Sequence, residues 1–311
     1  MSKPKIIYIV SNAFSGSTIL SLYLNNHPSI LNLGEISHLS KFYRQKSVCT
    51  CGLKFPRCSF WGPVLHDLSF YNQNTKNNKS NRFDIVDKNI DKKGFTIKKF
   101  LFLLGIRMKC LFQKKTRENY INKNIFFFKT ISNSVNSSKY IIDNSKQPER
   151  LSLLLESNKL DIHCILIKRD LLEILHSNLK RNKRTRKWIP FKVLREIFIL
   201  YFRNRSLDKV FGKIEPSKKI SIYFDQFSKN PELISKKIFD FLSLDISAVN
   251  YGNKVDINDI HLYGWHKIIR NKKEVFVENN THNRSLKSIP LIYRYIFKLV
   301  FRKGYFVKPL L

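Results

Sequence analysis

Short apolar runs punctuate the chain and separate longer stretches with a helical repeat. Residues 5–10 (KIIYIV) form the first run, and similar runs occupy residues 139–143, 163–168 and 220–224. Runs of this length that are rich in Ile and Val are typical of strands buried on both faces. The pattern therefore predicts four strands of a parallel sheet.

Between these runs, apolar residues recur every three or four positions, as in amphipathic helices. The predicted helices cover residues 19–26, 96–135, 149–157, 170–178 and 230–244. Strands that alternate with helices predict an α/β fold, in which helices flank a parallel sheet. Such a sheet binds its ligand at the carboxyl ends of its strands.

A length of 311 residues fits one α/β domain, which we expect to span residues 1–311. Polar and basic residues at about 71–99, including the run NQNTKNNKSN, predict a surface insertion that is a candidate lid. The most apolar stretches, residues 100–112 and 289–301, are too short to cross a membrane and carry Arg or Lys. We therefore expect no transmembrane segment.

Charge and cysteine content narrow the class of protein. The chain has 57 Lys and Arg against 23 Asp and Glu, a formal net charge of +34, which predicts an anionic partner. An odd number of cysteines (five) favours a reducing compartment over a disulfide framework. The first apolar run also lacks the cleavage site of a signal peptide. We expect a cytoplasmic protein, with peripheral attachment to a membrane surface as an alternative.

The loop after the first strand has the spacing of a phosphate-binding loop. Residues 11–18 (SNAFSGST) follow the pattern G-x-x-x-x-G-K-S/T, with Ser11 at the first Gly and Ser17 at the Lys. Backbone N–H groups of the loop and of the next helix would form an anion cradle, to which Ser15, Ser17 and Thr18 add hydroxyl groups. The missing Lys argues against γ-phosphoryl transfer and for a transfer that needs no metal. An ordinary serine-rich turn is the alternative.

The order of this and later motifs resembles one enzyme family. The chain has SGST at 15–18, HP at 27–28, GE at 34–35, DNSK at 143–146, and Arg169 with Ser177 eight residues later. In these motifs it is similar to the sulfotransferases that use 3′-phosphoadenosine 5′-phosphosulfate (PAPS), most closely the branch of bacterial carbohydrate-type and tyrosylprotein sulfotransferases. The resemblance covers almost the whole chain. It implies the sulfotransferase fold, a P-loop-like parallel sheet flanked by helices.

The resemblance also implies PAPS as the co-substrate, without a metal. The cofactor-binding residues that it implies are Ser15, Gly16, Ser17 and Thr18 for the 5′-phosphosulfate, Arg169 and Ser177 for the 3′-phosphate, and Arg181 and Tyr223 as secondary contacts. Eight residues are about two helical turns, so Arg169 and Ser177 can reach the same dianion. Phe14 stands where the family usually has a basic residue, which removes one positive charge from this site.

Glu35 and Lys146 are the predicted catalytic residues. Sulfuryl transfer requires that the acceptor hydroxyl lose its proton and that charge be stabilised on the departing phosphate oxygen. By resemblance to the tyrosylprotein branch, Glu35 is the base, and His38 is the alternative base. Lys146 is the predicted cation at the leaving phosphate. The alternative interpretation, which does not use the resemblance, is that Glu35 is a carboxylate at the start of a helix and that Lys146 is a surface lysine.

A cysteine cluster and a basic run both have explanations that involve no function. Cys49, Cys51 and Cys58 are only three clustered thiols, and C-x-C is not the usual zinc-knuckle spacing, so we predict no metal site. Residues 180–187 contain six basic side chains, which predict a solvated loop. If it is functional, this loop would steer PAPS or an acidic glycan to the site.

The sequence thus predicts a PAPS-dependent sulfotransferase that acts on a hydroxyl or amine of a carbohydrate, lipid or small molecule. The sequence does not identify the acceptor, for which a glycan is one candidate. No sequence pattern indicates the oligomeric state. One alternative is a non-catalytic protein that binds nucleic acid or an anionic surface, although no helix-turn-helix, zinc-finger or RNA-binding aromatic motif is present. We therefore expect no nucleic-acid partner. The other alternative is a P-loop kinase, which Ser17 at the Lys position opposes.

Overall fold

Five parallel strands form the central sheet of the computed structural model, which describes residues 3–74, 97–135, 139–181, 190–249, 254–256, 260–263, 274–276 and 290–301. These strands are β1 (Lys5–Ser11), β2 (Ile30–Asn32), β3 (Tyr140–Lys146), β4 (Asp161–Lys168) and β5 (Lys219–Tyr223). Their order in the sheet is β2-β3-β1-β4-β5. Two short strands, β6 (Lys254–Asp256) and β7 (Glu274–Phe276), pair with each other in antiparallel fashion. The prediction of an α/β fold with a parallel sheet is confirmed.

Helices connect and cover the strands. They are α1 (Ser17–Leu24), α2 (Leu39–Arg44), α3 (Trp61–Asn74), α4 (Ile97–Leu103), α5 (Met108–Leu111), α6 (Lys114–Ser134), α7 (Pro148–Leu154), α8 (Leu171–Arg181), α9 (Pro190–Gly212), α10 (Phe224–Lys229), α11 (Pro231–Phe241) and α12 (Leu291–Val300). Among the described residues, no helix combines the length and apolar character that a membrane span requires.

The sheet is buried on both faces. Successive side chains of a strand point to opposite faces, so Ile6, Tyr8 and Val10 of β1 join one core and Ile7 and Ile9 join the other. All five side chains are fully buried. Helices on both faces leave the two ends of the strands, amino and carboxyl, accessible.

Several predicted elements differ from those observed. β3 continues through residues 144–146, where the sequence predicted a polar turn. These residues stay buried or half-buried, and Lys146 pairs with Val10 of β1 after a shift of register between Tyr8 and Val10. The helix predicted over residues 96–135 is broken into α4, α5 and α6, with Gly105 in a left-handed conformation after α4. β2 and α9 have no counterpart among the predicted elements.

The predicted insertion and basic loop fall largely outside the described residues. The ends of the stretch at 71–99 are helical, because α3 continues to Asn74 and α4 begins at Ile97. Residues 75–96 and 182–189 lie outside the described part. The single-domain organisation, the insertion and the role of the basic loop stay predictions.

Candidate functional site

The predicted site residues follow neighbouring strands of the sheet. The loop at residues 12–16 follows β1, Glu35 follows β2, Lys146 ends β3 and Arg169 follows β4. Because β2, β3, β1 and β4 are neighbours in that order and run parallel, these residues lie along one edge of the sheet. This edge is the candidate functional site.

The loop between β1 and α1 leads into the uncapped start of a helix. The hydroxyl of Ser15 donates to the carbonyl oxygen of Asn12 at 2.8 Å, and Ser15 and Ser17 are buried. Gly16 precedes α1 in a left-handed conformation (φ 80°), and no side chain caps this helix. The first N–H groups of a helix have no partner within it, so those of α1 suit an anionic ligand. Thr18 lies half-buried in this first turn.

Arg169 lies against this loop. Its Nη1 donates to the carbonyl oxygen of Phe14 at 2.9 Å, and its guanidinium carbon is 4.9 Å from the ring centroid of Phe224. The same ring covers Gly16, since a Cβ there would lie 2.0 Å from it. Nε and Nη2 of Arg169 donate to Oε2 of Glu173 at 3.0 and 2.8 Å. Glu173 therefore competes with any phosphate for the donors of Arg169.

The remaining predicted cofactor residues are spread over two elements. Ser177 is half-buried in α8, two turns after Arg169. Tyr223 ends β5 and pairs in register with Lys168 of β4. Arg181 ends α8, but its side chain lies outside the described part. Their contacts with a cofactor stay predictions.

Glu35, Lys146 and His38 form one hydrogen-bonded group. Oε1 of Glu35 accepts from Nζ of Lys146 at 2.5 Å, and Oε2 lies 3.1 Å from Nδ1 of His38. Burial raises the pKa of Glu35, but the hydrogen bond with His38 and the positive charge of Lys146 outweigh burial and hold this pKa well below its usual range. The carboxylate is therefore ionised at neutral pH.

Arg203 and Asn204 of α9 stabilise the strand ends, and the sequence analysis missed both. Nη2 of Arg203 donates to the carbonyl oxygens of Lys146 at 3.0 Å and Ser11 at 3.3 Å. Asn204 accepts from the amide of Asn12 at 2.9 Å. Asn204 follows Leu200 by four residues on the buried face of α9, so a polar residue in an apolar helical stripe was the available signal.

A buried polar network lies beneath the Glu35–Lys146 pair. Asp143 and Arg150 are fully buried and joined at 2.9 Å, and Arg150 also donates to the hydroxyl of Tyr120 at 2.6 Å. Ser145 donates to Asp143, and its hydroxyl accepts from the N–H of Ser37 at 3.0 Å. The network thus joins β3 to the segment that carries Glu35 and His38. Buried polar networks of this kind restrict the arrangements that their side chains can adopt.

The three clustered cysteines lie beside a histidine that the sequence analysis did not connect with them. The Sγ atoms of Cys49, Cys51 and Cys58 and a ring nitrogen of His261 all lie within 4.8 Å of one another. The prediction of no metal site counted only three ligands. His261 lies 203 residues after Cys58, so no local spacing pattern indicates it.

A cavity of about 770 Å³ opens at the opposite edge of the sheet. Lys3, Asp161 and Lys218 are among its lining residues, and they lie at the amino ends of β1, β4 and β5. Parallel sheets bind ligands at the carboxyl ends of their strands, so this cavity is separate from the candidate site.

Comparisons with known proteins give only distant structural similarity. No protein-family model matches the chain, and no curated protein matches it. The sulfotransferase domain from the curacin biosynthetic pathway is 14% identical, with 96% of this chain and 98% of that chain covered and a TM-score of 0.48. The sulfotransferase domain from the Synechococcus PCC 7002 olefin synthase is 14% identical, with coverage of 98% and 97% and a TM-score of 0.48.

A sulfotransferase from Alicyclobacillus acidocaldarius is 13% identical, with 86% of this chain and 88% of that chain covered and a TM-score of 0.41. Identities and scores at this level carry no argument about how this chain folds or acts. They carry no information on donor or acceptor, so the activity has to be argued from the site.

Proposed function

We propose that the protein is a sulfotransferase that moves a sulfuryl group from PAPS to a hydroxyl or amine of an acceptor. The observation that supports this most is the Glu35–Lys146 pair, which lies at the carboxyl ends of β2 and β3 beside the loop that follows β1. A cation and a base next to an anion cradle suit the transfer of an anionic group to a hydroxyl. The order of the SGST, GE and DNSK motifs supports the same reaction.

Each part of the site has a role in this reaction. PAPS supplies a sulfuryl group on an activated phosphate oxygen. The N–H groups of α1, with Ser15, Ser17 and Thr18, bind the 5′ end of the donor, while Arg169 and Ser177 bind its 3′-phosphate. As the acceptor oxygen bonds to sulfur, the bond from sulfur to the phosphate oxygen breaks. The base takes the acceptor proton, and Lys146 neutralises the departing oxygen.

The ion pair couples donor binding to base strength in this proposal. A donor phosphate competes with Glu35 for the ammonium of Lys146. When Lys146 turns to the phosphate, Glu35 loses a positive neighbour, and its pKa rises towards the range in which a carboxylate accepts a proton. His38 is the alternative base: with Nδ1–H donated to Glu35, its Nε2 has a lone pair for the proton.

The proposal also covers the acceptor, the absence of a metal from the reaction and the location of the protein. The acceptor is a carbohydrate, lipid or small molecule, and the donor step itself uses no metal. None of the five cysteines forms a disulfide, which suits the reducing cytoplasm that we propose as the location, with attachment to a membrane surface as the alternative.

Calorimetric titration with adenosine 3′,5′-bisphosphate, the product of the donor, tests this proposal. We expect binding without Mg²⁺ that is tighter than the binding of ATP. Arg169→Ala should weaken it by about 1.5–3 kcal/mol, because a charged partner of the phosphate is lost. Arg117→Ala is the matched control, since Arg117 pairs with Glu156 and lines the cavity at the opposite edge. Tighter, Mg²⁺-dependent binding of ATP would instead support the kinase.

A further inference from the structure

Four metal-ligating side chains converge next to α3. The Sγ–Sγ distances are 3.6 Å from Cys51 to Cys58 and 3.7 Å from Cys58 to Cys49. Nδ1 of His261 lies 3.3 Å from Sγ of Cys58 and 3.8 Å from Sγ of Cys49. None of these residues takes part in the proposed sulfuryl transfer.

Four of the six distances between the ligand atoms are close to those around a tetrahedral zinc ion. With Zn–S bonds of about 2.3 Å and Zn–N bonds of about 2.0–2.1 Å, tetrahedral angles place two sulfurs about 3.8 Å apart and a sulfur about 3.6 Å from a nitrogen. The two S–S distances and the two S–N distances given above lie within about 0.3 Å of these values. The other two pairs of ligand atoms lie within 4.8 Å of each other. A disulfide would instead bring two sulfurs to about 2.05 Å.

The backbone holds the ligands in place through turns and bridges. Val48 and Lys54 form an antiparallel bridge, and Gly52 turns the chain between them with φ 84°. Cys49 forms a second antiparallel bridge, with Tyr263. A short hairpin that carries two of the thiols, Cys49 and Cys51, thus lies directly beside the segment that carries the imidazole of His261.

Contacts around His261 fix its position further. Its carbonyl oxygen accepts from the indole N–H of Trp61 at 2.8 Å, and its ring stacks on Phe60 with centroids 5.4 Å apart. The N–H of Thr50 donates to the carbonyl oxygen of Leu262 at 2.7 Å, and the hydroxyl of Thr50 donates to the carbonyl oxygen of Ile260. Partners around a ligating histidine of this kind orient its ring for a metal.

We propose that Cys49, Cys51, Cys58 and His261 bind one Zn²⁺ as a closed structural site. Three thiolates and one imidazole are a ligand set that zinc takes in tetrahedral structural sites, where no position is left for substrate. Zinc also fits the ligand softness better than Mg²⁺ or Ca²⁺, which prefer oxygen. Binding would join the hairpin at 48–54 to the segment at 260–263.

This junction lies close to the candidate site. Gly34 has φ 70°, and a Cβ there would lie 3.2 Å from a methyl carbon of Leu262. The neighbouring Tyr263 packs on Phe42, with ring centroids 4.8 Å apart. Zinc would therefore stabilise the segment that packs against the turn before Glu35, without touching the reacting groups.

Metal analysis of the purified full-length protein, prepared without chelators, tests the proposal. We expect about one zinc per chain in the wild-type protein. Cys51→Ser removes the most accessible of the three thiols and should lose most of the zinc. Cys110→Ser is the matched control, because Cys110 is an exposed free thiol in α5, and it should keep the full amount.

A second measurement covers the case in which Cys51→Ser does not fold. X-ray absorption of the wild-type protein should show three sulfurs at about 2.3 Å and one nitrogen at about 2.0–2.1 Å from zinc. Three results would each overturn the proposal. They are wild-type protein without stoichiometric zinc, wild-type protein that contains iron or copper in place of zinc, and a Cys51–Cys58 disulfide found by mass spectrometry. These readouts do not depend on sulfuryl transfer, so they stand or fall separately from it.

Discussion

At the scale of single residues, the proposed reaction depends on the short ion pair between Glu35 and Lys146. The pair is about three-quarters or more buried on each side, and His38 binds the second carboxylate oxygen. An ionised, doubly paired carboxylate is a weak base. The proposed reaction therefore depends on the donor drawing Lys146 away.

We predict that Glu35→Gln lowers turnover by about 10²–10⁴ while the affinity for adenosine 3′,5′-bisphosphate changes little. Glutamine keeps the shape and the hydrogen bond from Lys146 but cannot take a proton at neutral pH. Initial rates with a proven acceptor, or slow PAPS hydrolysis before one is found, give the measurement. Lys146→Ala should lower turnover by about 10²–10³ and also weaken donor binding, since the phosphate charge exists in the ground state. Retained transfer in Glu35→Gln together with its loss in His38→Asn would assign the base to His38.

The pKa of Glu35 also predicts a pH-dependent stability. A carboxyl whose folded pKa lies below its unfolded value of about 4.3 stabilises the fold above that pH, and this contribution is lost as the pH falls. The difference in unfolding free energy between wild type and Glu35→Gln should therefore be largest above about pH 5 and should shrink towards acid pH. Urea unfolding over a pH series measures it. Glu118→Gln, at a side chain 58% exposed, is the control; a constant difference for Glu35→Gln would contradict the paired state.

The sequence predicted those site residues that belong to a local motif and missed those that are recognised only by contacts with residues far away along the chain. Glu35 and Lys146 belong to motifs, each with a local signature, and the structure brings them into contact. Arg203 and His261 carry no local signature, because what they bind lies far away along the chain. Contacts of that kind are decided by packing of the whole fold.

At the scale of elements, the turn between β1 and α1 depends on the fit of one glycine against one ring. Gly16 has a left-handed φ, and the ring of Phe224, the first residue of α10, occupies the space a side chain would need. Arg169 lies on the same ring. The turn, α10 and the residue after β4 therefore form one packed unit.

We predict that Gly16→Ala destabilises the protein more than Gly52→Ala. Both glycines have a left-handed φ, which costs an alanine about 1–2 kcal/mol, but a Cβ at Gly52 meets nothing within 4 Å. The overlap at Gly16 adds about 1–3 kcal/mol. Measured against Phe224→Ala alone, Gly16→Ala should lose this added cost and keep only the cost of the left-handed φ. Equal unfolding free energies for the two single variants would contradict the close fit.

The sequence predicted elements best where the apolar signal was continuous. β1 and β4 are long apolar runs and lie close to their predicted bounds. β2 has only three residues, which is too few for a periodic pattern. The polar end of β3 was predicted as a turn, because pairing with β1 and burial of its side chains are decided by neighbours in the fold.

At the scale of the whole molecule, the net charge of +34 and the candidate site would bind ligands in different ways, which differ in their dependence on salt. A diffuse positive field attracts any polyanion, and its effect falls steeply with salt. A built site holds its ligand through a few directed donors, which salt screens less. Salt dependence therefore separates a nucleotide site from a protein that binds nucleic acid by charge.

We predict that the affinity for adenosine 3′,5′-bisphosphate falls much less between 50 and 200 mM salt than the affinity for a single-stranded RNA of mixed sequence. Binding that neutralises 6–10 phosphates loses about 10³–10⁵ over this range, whereas two phosphates release few counterions. Arg169→Ala should weaken nucleotide binding and leave RNA binding nearly unchanged, because one charge in 57 contributes little to a diffuse field. Fluorescence titrations at both salt concentrations give the comparison. Equally steep salt dependence for the two ligands, with no effect of Arg169→Ala on the nucleotide, would favour the non-catalytic, charge-driven binder over the sulfotransferase.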